Sequence, residues 1–278
     1  MATNLNSAKY ESYFRALLVG GTGRGKTIAA ASWPGKTLIL DFDGRHKPII
    51  DWYPERVAAG DFVVEEINPN NFWTVFKPLI ASLAQYNPYQ NIILDGVTSL
   101  STCTVVMQML VKGSFQHFDP TKKVDSAKIT SGGIMVPTWD EFNGEAMVIS
   151  TLLESLRSLK CNLFLTAHPV QRTLIGSNNK ATKYTSITTF GPKIESIIPT
   201  YFDEVWYFDY RVDSDNSGRS VIKRTCYPRP SEDYFEAKTA LKNIPKDIDY
   251  TDKGLYDCVK EYLSEKVPGQ VISMPSKS

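Results

Sequence analysis

Short apolar runs punctuated by glycine, proline and acidic residues alternate with stretches of helical period along most of this chain. Phe14 to Leu18 leads into a glycine cluster, and the alanine-rich run from Thr27 to Trp33 predicts a helix stopped by Pro34-Gly35. Thr37 to Leu40 and Phe62 to Ile67 predict two more strands, the first ending at Asp41-Phe42-Asp43-Gly44. Phe72 to Tyr86 has helical apolar spacing, with Pro78 marking a first turn, a kink or a break. Asn91 to Leu94 predicts a strand that ends at Asp95, and Val97 to Val111 a helix. Such alternation predicts an α/β fold with a mainly parallel sheet flanked by helices.

Thr138-Trp139-Asp140-Glu141 is a capping-box pattern, and Phe142, Ala146, Ile149, Leu152, Leu153, Leu156 and Leu159 follow on one helical face. Asn162 to Thr166 predicts another buried strand. Residues 113–137 and 169–189 carry no clear period and exceed ordinary connections, so both are expected as loop insertions. Phe202 to Tyr210, Arg219 to Tyr227 and Tyr234 to Thr239 read as strands with short turns between them, an antiparallel extension at the C-terminal end. Leu255 to Leu263 predicts a last helix. The expected organisation is an N-terminal segment at 1–13, one domain at 14–263 and a flexible tail at 264–278.

Composition narrows the classes. Lysine and arginine total 31 against 30 acidic residues in 278, so nucleic-acid contact would need a local basic patch rather than global charge. Cys103, Cys161, Cys226 and Cys258 are too scattered for a zinc ribbon or a redox pair and are expected as reduced thiols. Polar and charged residues interrupt the first fifteen positions, where a signal peptide needs an apolar run, and no stretch of 18 apolar residues occurs; a cytoplasmic protein without membrane contact is expected.

The chemistry is concentrated in Gly20-Gly21-Thr22-Gly23-Arg24-Gly25-Lys26-Thr27, which satisfies G-x-x-x-x-G-K-[ST] between a predicted strand and a predicted helix. Glycines let the backbone curl so that its N–H groups face phosphate oxygens, Lys26 supplies a cation to the β- and γ-phosphates, and Thr27 places a hydroxyl on Mg²⁺. Asn91-Ile92-Ile93-Leu94-Asp95 supplies the second part, an apolar strand ending in a carboxylate for the magnesium shell. Together they indicate a P-loop NTPase that takes a Mg²⁺-nucleoside triphosphate. Asp43 at the exit of the second strand is a candidate base for the attacking water, with Asp41 as its competitor; the alternative is that one of the two merely caps the turn before Gly44.

These motifs occur in order with Leu163-Phe164-Leu165-Thr166-Ala167-His168 and Pro199-Thr200-Tyr201-Phe202-Asp203-Glu204-Val205. The set resembles phage RecA/RadA-like P-loop ATPases, most of all the single-strand-annealing ATPases of bacteriophage recombination, over about residues 14 to 245. The resemblance implies a RecA-like core and gives Asp43 the water-activating role, with a shorter side chain than the usual glutamate. It makes His168 a γ-phosphate sensor, the alternative being a satisfied core histidine. It also implies a basic finger contributed by a neighbouring subunit, hence a homo-oligomer, ring or filament. Lys238 fits that role, although Ala240 stands where the resembling proteins carry arginine; Lys223 and Arg224 are alternatives, and all three can equally be solvated strand residues.

The same resemblance puts DNA contacts on the two unpatterned segments. Lys112, Lys122, Lys123 and Lys128 in the first, with Arg172, Lys180 and Lys183 in the second, are candidates to neutralise phosphates, and Phe115, Phe118 and Tyr184 to stack bases. Mobile surface loops without that role are the alternative. The expected function is ATP-dependent action on single-stranded DNA, annealing or strand exchange in phage recombination or replication, alongside a single-strand-binding or other replication protein in the cytoplasm of an infected bacterial host. A helicase loader or motor, a small-molecule phosphotransferase and a non-hydrolysing nucleotide-gated assembly module share the phosphate-site motifs.

Overall fold

In the computed structural model the described residues are 13–111, 137, 139–175, 181–214, 218–231, 234 and 236–264. Six parallel strands form the centre: β1 (Arg15–Gly20), β2 (Thr37–Asp41), β3 (Phe62–Glu66), β4 (Asn91–Asp95), β5 (Asn162–Ala167) and, after the two-stranded hairpin of β6 (Pro169–Ile175) and β7 (Ala181–Ile187), β8 (Glu204–Ser214). Antiparallel β9 (Ser220–Tyr227) and the short β10 (Ile248–Asp249) extend one side, giving the order β10-β9-β8-β1-β5-β4-β2-β3. The fold is thus the α/β class expected of a P-loop NTPase core.

Alternation of side chains along the strands explains the layers. Leu17, Val19, Leu38, Leu40, Ile92, Leu94, Leu163 and Leu165 point to one face and Ala16, Leu18, Ile39, Ile93 and Phe164 to the other, all buried. The first face is covered by α4 (Lys77–Gln85), α5 (Val97–Val111), α6 (Trp139–Arg157) and α7 (Pro192–Ile197). The second is covered by α1 (Lys26–Ala31), α2 (Pro48–Trp52), α3 (Pro54–Ala58) and α8 (Leu255–Ser264). Because central strands are sandwiched on both sides, they read in sequence as unbroken apolar runs.

The two ends of the sheet differ. At the amino ends, Phe14, Trp33, Phe164 and Trp206 cluster with ring centroids 4.9–5.8 Å apart, while Asn162 bonds Asn91 and the Phe14 amide and so ties β1, β4 and β5 together. The carboxyl ends collect polar groups instead: Asp41, Asp95, Thr166 and the glycines after β1. Ligand sites in open parallel sheets form at this edge.

Several expectations need correction. Within 169–189, Pro169–Ile175 and Ala181–Ile187 pair as the β6–β7 hairpin, from Pro169↔Ile187 to Ile175↔Ala181, rather than forming an irregular loop. Tyr234 to Thr239 is not a strand: Lys238 makes a single antiparallel bridge to Val205. Pro78 sits in the first turn of α4, where its missing N–H costs nothing, and the residues before it, Phe72–Phe76, wind as a π-helical turn. The expected loop at 113–137 and the tail lie almost wholly outside the described residues. Among the described residues no helix is long and apolar enough to cross a membrane.

Candidate nucleotide site

Beyond Gly20 the chain can neither continue β1 nor widen. A β-carbon at Gly20 would lie 2.6 Å from the Phe208 carbonyl oxygen, and Gly23 and Gly25 adopt φ of 76° and 80°, left-handed conformations that favour glycine. The turn they make is held from outside. The Tyr210 hydroxyl donates to the Gly23 carbonyl at 2.5 Å and the Tyr250 hydroxyl to the Arg24 carbonyl at 2.8 Å. Fixing these carbonyls outward leaves amide N–H groups for the concave side, the arrangement that receives phosphate oxygens. Neither tyrosine is signalled by local sequence, since the contacts span 187 and 226 residues. Arg24 contributes backbone alone: its guanidinium stacks on Tyr210 at 4.3 Å and pairs with Asp209 at 3.1 Å, outside the cleft.

The cleft has a volume of about 320 Å³ and is lined by Thr22, Gly23, Gly25, Lys26, Thr27, Asp43, Asp95, Thr166 and His168, with Arg45, Ile28, Pro48, Ile49, Trp52 and Arg224 completing the wall. Lys26 is buried, and its ammonium donates to the Gly20 and Gly21 carbonyls at 2.7 and 3.0 Å. Burial pulls its pKa down to about 8 against the opposing pull of the Asp95 and Asp43 carboxylates. An incoming polyphosphate adds to the negative charge that Asp95 and Asp43 already set near this lysine.

Asp95 closes β4 with both carboxylate oxygens engaged, one by the Thr27 hydroxyl at 2.9 Å and the other by Thr166. Burial raises its pKa; the two hydroxyl donors oppose that rise, and the nearby Asp43 and Asp41 charges add to it. A hydroxyl and a carboxylate meeting beside a phosphate loop are the hard oxygen donors that a Mg²⁺ ion shared with nucleotide phosphates takes from protein. Among the described residues there is no cluster of three or more His, Cys, Asp or Glu that could hold a metal ion.

The two acids after β2 have separate duties. Asp41 is fully enclosed and acts as the cap: its Oδ1 accepts the Asp43 and Gly44 amides at 2.9 and 2.7 Å, and its Oδ2 meets His46 Nδ1 at 2.6 Å. Asp43 is thereby turned into the cleft, its Oδ2 3.1 Å from where a β-carbon on Gly96 would stand. His168, at the exit of β5, is half-buried; burial and the Lys26 charge lower its pKa, while Asp43 and a hydrogen bond to the Gly20 main chain oppose that. A neutral imidazole has one N–H, so donation to a phosphate oxygen means that His168 releases the Gly20 carbonyl.

Not every candidate converges here. Lys238 is exposed on the flank of β8 with its ammonium 3.5 Å from the Pro199 carbonyl, away from this cleft. Lys223 pairs with Asp213 and Asp249 on the outer face of the β8–β9 ribbon, whereas Arg224, its neighbour, lines the chain's own cleft. Arg45 also lines it and was not anticipated from sequence. Arg172 is held in a two-bonded ion pair with Glu195 on α7, at 3.1 and 2.7 Å. Lys112, Lys122, Lys123, Lys128 and Lys180 lie outside the described residues, as does the side chain of Lys183, whose backbone pairs with Thr173 in the hairpin.

A strand-loop-helix phosphate cradle, a carboxylate ending the strand two places away in the sheet, and hydroxyl donors between them define the nucleotide cleft of a P-loop NTPase. Comparison with protein families agrees: the model of the family described as an AAA domain matches residues 12–240, and the chain belongs to that family of P-loop ATPases. ATP binding and hydrolysis are what this membership carries. A search of the curated proteins finds no match.

Proposed function

We propose that this protein hydrolyses Mg²⁺-bound ATP to control how it holds single-stranded DNA, in annealing or strand exchange of the phage recombination or replication type that its motifs resemble. In the proposed cycle Lys26 and the loop amides hold the β- and γ-phosphates, and Asp43 takes a proton from the water that attacks the γ-phosphorus as the bond to the ADP oxygen breaks. Mg²⁺, when bound, screens the phosphate charge, and Thr27 with Asp95 are the groups that would hold it. His168 donates to a γ-phosphate oxygen and so registers its loss.

One observation carries the link from nucleotide to DNA. The β6–β7 hairpin starts immediately after His168 and returns to the same point, the Thr188 amide donating to the His168 carbonyl at 2.7 Å and the Thr98 hydroxyl to the Thr188 carbonyl at 2.8 Å. A sub-ångström shift of His168 at the γ-phosphate is therefore applied at the root of a protruding two-stranded element, the kind of lever that order–disorder switches use. Contact between Arg172 and a DNA phosphate requires it to leave Glu195, which gives such a lever two states. In this reading Lys238 reaches the cleft of a neighbouring copy in an oligomer.

Anisotropy of a labelled oligothymidylate tests the coupling. Affinity is expected to differ at least about tenfold between a slowly hydrolysed ATP analogue and ADP, with a steep salt dependence, and Lys26→Ala should abolish the difference. Equal affinity in both nucleotide states would refute it.

A further inference from the structure

The carboxylates, Thr166 and His168 occupy only one end of the cleft. They come from β2, β4 and β5, which lie on one side of β1 in the sheet, whereas Arg224 comes from β9 on the other side. A triphosphate seated on the loop with its γ end toward Asp43 and Asp95 therefore directs its nucleoside toward β9. The walls there are Ile28, Pro48, Ile49 and Trp52, and the Arg224 guanidinium lies on the Trp52 indole, 4.3 Å from the ring centroid.

We infer that this end is a stacking site for a purine base, with Trp52 as platform and Arg224 as the opposing plane, and that it takes adenine and guanine alike. The inference rests on the phosphate-site reading above. Trp52 is 40% exposed beneath the Arg224 guanidinium, and it sits at the end of a five-residue helix. Admitting a base between the planes requires Arg224 to withdraw by roughly 3 Å, about one aromatic thickness, on a long flexible side chain. Neighbouring groups keep the site in place without entering it: the Tyr53 hydroxyl is committed to the Ile28 carbonyl at 3.0 Å and the Tyr250 hydroxyl to the Arg24 carbonyl. The side chains left facing the base are apolar or, in Arg224, donor-only. A guanidinium stacked on the face of the base aims its in-plane donors away from the base edge, and base stacking is tolerant of base identity. Strong discrimination would need a polar group left unpaired by the wrong base, and the side chains of Ile28, Pro48 and Ile49 supply none.

Dissociation constants for ATP, GTP and inorganic tripolyphosphate, each with Mg²⁺, test this on the full chain. Trp52→Ala should weaken ATP and GTP about tenfold each and leave tripolyphosphate unchanged, and Trp52→Phe should restore most of the loss. Wild-type protein should prefer neither purine by more than about threefold. Unchanged ATP affinity in both Trp52→Ala and Arg224→Ala, with Lys26→Ala still abolishing it, would overturn the stacking site while sparing the phosphate reading. Discrimination of about a hundredfold between ATP and GTP would overturn the tolerance. Tripolyphosphate binding indifferent to Lys26→Ala would overturn the phosphate reading and the inference with it.

Discussion

Two aspartates two residues apart share one strand exit, and the backbone decides what each can do. Asp41 spends its carboxylate on the amides of Asp43 and Gly44 and on His46, so it shapes the turn; Asp43, carried by that turn, faces the phosphate end. Asp43→Asn is expected to keep ATP affinity and lose about 10²–10⁴ in kcat, read by equilibrium binding beside steady-state turnover. Wild-type turnover in that variant would move the base elsewhere. Gly96→Ala brings a methyl within 3.1 Å of the Asp43 carboxylate and 3.2 Å of the Thr166 hydroxyl. It should lower kcat with little change in thermal midpoint, because the crowded neighbours are side-chain tips; an unchanged kcat would show that the position of Asp43 is not critical.

Among the elements, the hairpin and its supports respond most readily. Glu195→Gln removes the charge that retains Arg172, so oligothymidylate affinity should rise by a few-fold at low salt and the gain should vanish at high salt. No gain would mean that Arg172 has no part in DNA binding. Just below the hairpin, buried Glu145 of α6 accepts from Ser101 of α5 and, weakly, from the Gly191 amide, while its Oε2 has no hydrogen-bond partner among the described residues. Burial raises its pKa above 4.5. The folded state therefore holds this proton more tightly than the unfolded state, and stability contributed at pH 4.5 and below is lost as pH rises through the folded value. Glu145→Gln should flatten the fall in thermal midpoint across that window; an identical slope in variant and wild type would exclude Glu145 as its source.

The same elements show where sequence is informative. Strands β1, β2, β4 and β5 are readable because both faces are buried and their central residues form an apolar run. The phosphate loop is readable because its geometry dictates glycine at fixed offsets. The β6–β7 hairpin was not, since it stands off the main sheet, its polar residues carry no period of two, and its partner strand alone defines it. Tyr234 to Thr239 has strand-like composition, yet its aromatic Tyr234 packs on Tyr207 and Tyr227 as a side-chain cluster rather than in a ladder. Five-residue α2 is too short for a periodic signal, which hid Trp52, and its pairing with Arg224 depends on tertiary structure alone.

At the scale of the molecule, one sheet separates a mechanical end from a chemical one. The aromatic cluster at the amino ends anchors the strands whose carboxyl ends hold the cleft, so Trp206→Ala, at a fully buried site, should cost about 3–5 kcal/mol in denaturant unfolding while the surviving folded fraction keeps its ATP affinity. Loss of affinity in that folded fraction would mean that the two ends are not separable. What the whole assembly is for is tested most directly by ATP turnover at low salt, measured without nucleic acid, with single-stranded DNA and with duplex DNA, using Lys26→Ala as the blank. The account expects Mg²⁺-dependent turnover that Lys26→Ala abolishes and that single strands raise above the other two conditions. Turnover indifferent to all DNA, or none in any condition, would contradict it.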